Sequence, residues 1–284
     1  MTEPAYAETF DSCAAASPEI DVATKYANVL GVNVSAVNME LAVRLADQWI
    51  IRGNPGYACV TAVHVIMEAQ KDPSYLEILN NAVLNVPDGM PMTWVGWCQG
   101  HREMTRVFGP DFMLALCELS VQRGYRHFLY GGQLGVAEQL RAFLEAQFPG
   151  LKIVGTYTPP FRKLNSKEEE ELISQVRASK PDILWVGLGA PKQERFMAHY
   201  LDQFQVPLMV GVGAAFDFHT GRIRDCPDWV KRAGLQWLHR LVQDPKRLLK
   251  RYLRANPAFL WHIALQLSGL RKYPNQETRK KSTS

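Results

Sequence analysis

The residues of this chain that could do chemistry sit just after short apolar runs. Val86-Pro87-Asp88-Gly89-Met90 sets a carboxylate at the end of one run, with Gly89 beside it leaving room for a substrate. Pro-Asp-Gly is equally a common turn sequence. Two later stretches share one construction. Asp182-Ile-Leu-Trp-Val-Gly-Leu-Gly189 continues into Ala190-Pro-Lys-Gln-Glu194, and Pro207-Leu-Met-Val-Gly-Val-Gly213 continues into Ala214-Ala-Phe-Asp217. Glycines there let the backbone turn and let a ligand approach, which suits a phosphate-bearing molecule. Gln193 would bring an amide to such a ligand and Asp217 a carboxylate. The plainer readings are a helix starting at Pro191 with Lys192 and Glu194 in its solvated first turn, and Asp217 as a cap or loop residue. Tyr130-Gly131-Gly132-Gln133-Leu134-Gly135 is a third glycine-rich turn. Its N–H groups, Gly132 among them, would suit phosphate or simply join a strand to a helix.

Runs of this length without alternation read as strands buried on both faces, and ligands of parallel sheets bind at the strands' carboxyl ends. The chain predicts strands at Tyr57–Val63, Val83–Val86, His127–Tyr130, Lys152–Thr156, Ile183–Gly187 and Leu208–Gly211. Amphipathic helices lie between them. One follows Gly135, with Val136, Leu140, Phe143 and Leu144 on one face. Another, Ser166–Ser179, opens on an N-cap and acids. Met39–Ile51 reads as a helix and Val29–Asn38 as a small hairpin. Alternation of strand and helix predicts an α/β fold: a Rossmann-like, mainly parallel sheet with flanking helices.

Charge divides the chain. From Trp229 to Ser284 thirteen Lys and Arg face only Asp244 and Glu277, a net +11, which leaves −7 for residues 1–228 of a total of +4. A basic tail on an acidic body suits an anionic surface or ligand. Leu235, Leu238, Leu241 and Val242 recur at helical spacing, Pro245 starts a second helical stretch through Arg254, and the apolar run Ala258–Leu270 follows. A helix of that run spans about 20 Å, short of a bilayer core of about 30 Å. It could lie on a membrane rather than cross one. The expected organisation is a loose segment at 1–25, an α/β body at 26–234 and a basic helical C-terminal appendage at 235–284.

Several classes are disfavoured. Five scattered cysteines without a CxxC pair predict neither a disulfide framework nor a zinc site, and point to a reducing compartment. Residues 1–20 carry acids and no basic n-region, unlike a signal peptide. The chain has no Asp-X-Asp and no His-Glu-X-X-His, so neither a metal nor another cofactor is expected. It also lacks Gly-X-Ser-X-Gly, and His64 reads as a satisfied histidine rather than a base. Two rivals remain from the residues alone. A dinucleotide-dependent oxidoreductase would share the sheet but wants G-x-G-x-x-G. A non-catalytic nucleic-acid-binding module would use the tail but shows no binding motif.

Five blocks occur in one order: Pro87-Asp88-Gly89, Arg106-Val-Phe-Gly109-Pro-Asp111, Gly187-Leu-Gly-Ala-Pro-Lys-Gln-Glu194, Gly211-Val-Gly-Ala-Ala-Phe-Asp217 and Leu235-Gln-Trp237-Leu-His-Arg240-Leu. In these the chain resembles the WecG/TagA/CpsF glycosyltransferase family from about Val29 to Leu253. The resemblance implies an inverting transfer from a UDP-sugar to a sugar on polyprenyl diphosphate, at the cytoplasmic face of an acidic membrane surface and with no nucleic acid involved. It implies Asp88 as general base, Thr61, Arg106 and Gln193 as pocket residues, and Arg240, Arg247 and Lys250 as appendage cations reaching the diphosphate. Two departures stand out. Thr61-Ala62-Val63-His64 replaces the family's Thr-X-Asn, and Asp225-Cys226-Pro227 replaces its Arg-Ala-Pro, leaving His64, Arg222 and Arg224 as candidate substitutes.

Overall fold

The computed structural model describes residues 25–227, Val230 and 236–274, without the side chains of Arg247 and Arg251. The expected loose segment before Lys25, the boundary at Gly234–Leu235 and the Arg247 cation therefore lie outside the described residues.

The chain opens with an antiparallel hairpin, β1 (Tyr26–Val29) and β2 (Val32–Ser35). Its two-residue turn, Leu30-Gly31, has positive φ at both positions, 52° and 87°, the geometry that matches the twist of a tight hairpin. Helix α1 (Met39–Arg52) is capped by the Asn38 side chain on the Leu41 N–H and ends at Gly53 in the left-handed region.

Six parallel strands form the centre: β3 (Tyr57–Thr61), β4 (Leu84–Pro87), β5 (Arg126–Gly131), β6 (Lys152–Tyr157), β7 (Ile183–Gly187) and β8 (Leu208–Gly211). Their order is β4-β3-β8-β7-β5-β6, and every pairing is parallel. Along β7 the side chains alternate between two cores: Leu184 and Val186 enter one, Ile183 and Trp185 the other. The first core takes the hairpin with α2 (Val63–Ala69), α3 (Pro73–Asn80), α7 (Ser166–Ser179) and α8 (Lys192–Phe204). The second takes α1, α5 (Gly109–Arg123), α6 (Val136–Gln147) and α9 (Ala215–His219). Burial on both faces explains why the strands other than the edge strand β6 read as unbroken apolar runs. Helix α4 (Met90–Cys98) follows β4.

Three local expectations change. Strand β3 stops at Thr61, and Val63 begins α2; a β-branched residue does not prevent a helix once its face is buried. The cap of α7 is Asn165, in a reciprocal box with Glu168, one residue before the expected Ser166. After the short helix α10 (Gln236–Gln243), the two expected tail helices are one, α11 (Pro245–Leu267), with Pro257 inside it. An interior proline costs about 3 kcal/mol. Pro257 is exposed, and just beyond it Phe259 and Ile263 are buried in the first core, which offsets that cost.

Candidate active site

Strands β3 and β8 are neighbours, yet the chain leaves β3 for the edge strand β4 and reaches β8 last. The carboxyl ends of these strands frame the crevice where ligands of such sheets bind. Asp88 stands there. Its N–H donates to Thr61 O at 2.9 Å, and Val107 N–H donates to Pro87 O at 2.8 Å, so sheet-like pairing holds the backbone on both sides of the turn. Gly89 has φ 94° and caps α4, a conformation that a side chain would strain.

The Asp88 side chain is a quarter exposed, and Arg106 Nε lies 3.4 Å from its Oδ1. Burial raises the carboxyl above its ordinary range, while the charges of Arg106 and Arg240 pull the other way. Both guanidiniums rest on rings. Arg106 lies 4.4 Å over Phe108, Arg240 lies 5.0 Å over Phe218, and the two rings meet edge to face at 5.3 Å. Gln236, the first residue of α10, accepts from Arg106 Nη2 through its Oε1. Thus Asp88, Arg106 and Arg240, far apart in sequence, form one cluster, and α10 closes over it.

The other expected residues surround the cluster or support it. Thr61 is fully buried, and its hydroxyl is 3.3 Å from Asn85 Oδ1. Asn85 in turn donates to Leu79 O and Asn33 O, so Thr61 belongs to a buried polar network beneath the crevice. Gln193 is also buried. Its Oε1 accepts from Gly189 N–H at 3.1 Å and Gly213 N–H at 2.9 Å, and its Nε2 donates to Glu194 at 2.9 Å. One amide therefore ties together the two Gly-X-Gly turns. Glu194 is not solvated as a first-turn acid would be: it is fully buried, accepts from Tyr75 OH at 3.0 Å, and its carboxyl is pushed up by burial.

Gly132 donates its N–H to Gly187 O at 3.2 Å, and an added Cβ would meet Val136 Cβ at 2.9 Å. Close packing thus requires this glycine, and its N–H is already engaged. Asp217 is half-buried on α9, next to the Phe218 that supports Arg240. Lys250 is exposed on α11. Of the candidate substitutes, Arg222 reaches Gln133 at 3.1 Å, Arg224 is held through its backbone by Gln243, and His64 sits half-buried at the start of α2. Among the described residues no three of His, Cys, Asp and Glu converge.

Sequence reasoning missed Phe108, Phe218, Gln236 and the burial of Glu194. The two phenylalanines lie inside or beside the quoted blocks, where aromatic residues read as core. Gln236 is a polar residue at a buried helix position, which periodicity does not flag. A second groove, among Arg126, Arg177, Lys180 and Asp182, lies at the opposite end of the sheet, away from the strands' carboxyl ends.

The sequence model described as the glycosyl transferase WecG/TagA/CpsF family matches residues 27–273. Two similar proteins both carry the name N-acetylglucosaminyldiphosphoundecaprenol N-acetyl-beta-D-mannosaminyltransferase. One, from Bacillus spizizenii, is 32% identical over 195 residues, covering 68% of this chain and 74% of its own length. The other, from Bacillus subtilis, is 27% identical over 183 residues, covering 64% of this chain and 70% of its own length.

Proposed function

The chain belongs to the WecG/TagA/CpsF glycosyltransferase family, and on that premise we propose that it moves a hexosyl or N-acetylhexosaminyl group from a UDP-sugar to a saccharide carried on polyprenyl diphosphate, with inversion. Membership sets aside the oxidoreductase and nucleic-acid-binding readings. The similar Bacillus enzymes, named for a diphosphoundecaprenol acceptor, support a lipid-linked acceptor here. One observation carries the mechanism: a desolvated carboxyl, Asp88, beside two ring-stacked guanidiniums, Arg106 and Arg240.

In this reading the acceptor hydroxyl gives its proton to Asp88 as its oxygen bonds to the anomeric carbon. The bond from that carbon to the diphosphate oxygen breaks on the opposite face, and UDP departs. Arg106 and Arg240 stabilise the negative charge gathering on the diphosphate. Gln193 acts one layer below, fixing the glycine turns whose backbone faces the donor. Lys250 extends the positive field along α11. The cluster needs no divalent ion to neutralise the leaving group.

The exposed side of α11 supports attachment to an acidic membrane surface. Lys246, Lys250 and Arg254 lie on it, followed by Leu260 and Trp261. Among the described residues no helix is long and apolar enough to cross a membrane.

The test is incubation of the full chain with a panel of UDP-sugars and lipid-linked acceptors, reading product and UDP together. Product and UDP should appear in equal amounts, and excess chelator should leave the rate nearly unchanged. UDP release without glycosylated lipid would sink the transfer reading. A rate lost to chelator and restored by Mg²⁺ or Mn²⁺ would overturn the metal-free step.

A further inference from the structure

Gln236 does more than cover Arg106. Its side chain is buried, 7% exposed, and its oxygen accepts from Arg106 Nη2. A guanidinium only donates, so the amide cannot turn over: its oxygen must face Arg106 and its NH₂ must point away. Among the described residues that NH₂ has no hydrogen-bond partner. A buried donor without an acceptor is disfavoured, and native proteins keep few. A ligand oxygen arriving at Nε2 would satisfy it.

The neighbours say what kind of oxygen. Gln236 and Arg240 are four residues apart on α10 and so share one helix face. Arg240 is close enough to Asp88 for its charge to be felt there, and Arg106 touches Asp88 directly. A fixed neutral donor flanked by two cations fits an anion that spreads charge over several oxygens. Resting on the transfer reading above, we propose that Gln236 is a substrate-binding residue, its Nε2 donating to a diphosphate oxygen held between Arg106 and Arg240. The diphosphate is that of the UDP-sugar or that of the polyprenyl-linked acceptor, and the two share this chemistry.

Two substitutions in the full chain separate binding from mere support of Arg106. Gln236→Glu keeps an oxygen for Arg106 and puts a second oxygen where the donor was. Gln236→Met removes both groups at nearly constant volume. If Gln236 only steadied Arg106, the loss in the glutamate variant would be charge repulsion alone and would fade towards wild type at high salt, whereas loss of the Nε2 hydrogen bond persists there. The expected result is at least a tenfold loss in one of two quantities, persisting at high salt and at unchanged melting temperature, with the glutamate variant the worse. Weaker UDP binding assigns the donor's diphosphate. Unchanged UDP binding with a raised KM for a short-chain polyprenyl-diphosphate acceptor assigns the acceptor's. Both quantities within twofold of wild type in Gln236→Glu at high salt would overturn the proposal, and this variant carries the test alone if Gln236→Met fails to fold. Titration with inorganic pyrophosphate keeps the two readings apart. A chain that binds pyrophosphate through Gln236 but transfers no sugar retains this inference and loses the transfer reading. A chain that transfers sugar while the glutamate variant matches it in both quantities loses only this inference.

Discussion

Asp88 is a carboxyl that burial makes reluctant to ionise and that two arginines help to ionise. The general base proposed here works only in its charged form, so in that role the folded-state value of Asp88 would set the acid limb of the rate profile. Burial prevails, which places that limb above the ordinary aspartate value of about 3.9. Arg106→Gln removes an opposing charge, so the limb should move to still higher pH; a limb that stays put or moves down would detach Arg106 from Asp88. Asp88→Asn keeps the shape and cannot take the proton. Its kcat should fall by about 10²–10⁴ with UDP-sugar affinity nearly kept, and a loss under roughly fivefold at saturation removes Asp88 from the role. At this scale the place of Asp88 was legible, because it directly follows an apolar run. It was silent on Phe108 and Phe218, because an aromatic ring that supports a guanidinium has the same sequence signature as one that fills a core.

At the scale of elements, the turns after β7 and β8 are tied to each other by a side-chain bridge. Gln193 accepts from both Gly189 and Gly213, and Glu194 fixes the amide's orientation with Tyr75 behind it. The strands, their parallel order and their glycine turns follow from apolar runs and alternation. The burial of Glu194 does not, because an acid in the first turn of a helix normally faces water and favours the helix dipole. The consequence is measurable. A carboxyl raised by burial binds its proton more tightly when folded, so folding loses stability as pH climbs from the ordinary value towards the raised one. An amide in place of the acid would have no proton to lose, and Tyr75 OH can accept as well as donate. Glu194→Gln should therefore melt at or above wild type at neutral pH, with its advantage shrinking as pH falls below the raised value. A variant that melts several degrees lower at neutral pH and gains nothing relative to wild type as pH rises would show the ionised carboxylate to be stabilising.

Across the whole molecule, the tail that charge marks as an appendage is bound into the body. Gln243 grips Arg224, Gln266 donates to Asn28 O and accepts from Leu30 N–H, and Asn28 reaches Tyr273 O. The basic excess was legible because charge simply adds along a sequence. The docking was not, because single amide contacts leave no period. Helix α11 consequently has two faces, one packed on the body and one exposed. Phe259 is 2% exposed and Ile263 8%, whereas Leu253, Leu260 and Trp261 are 63–66% exposed. Phe259→Ala should cost about 3–5 kcal/mol of stability, since it empties a packed site. Trp261→Ala should leave melting nearly unchanged and weaken binding to anionic vesicles. Reversing Lys246 and Arg254 to Glu should weaken it more, because each basic residue near an anionic leaflet is worth about 1 kcal/mol and reversal replaces attraction with repulsion. That loss should shrink as salt rises, the field being screened within about 8 Å at physiological ionic strength. Transfer to a water-soluble acceptor should stay within about twofold for these outward variants, as none of the three residues belongs to the Asp88 cluster. If instead vesicle binding survives both charge reversals and Trp261→Ala, the enzyme docks through another surface, and the outward face of α11 has no part in membrane attachment.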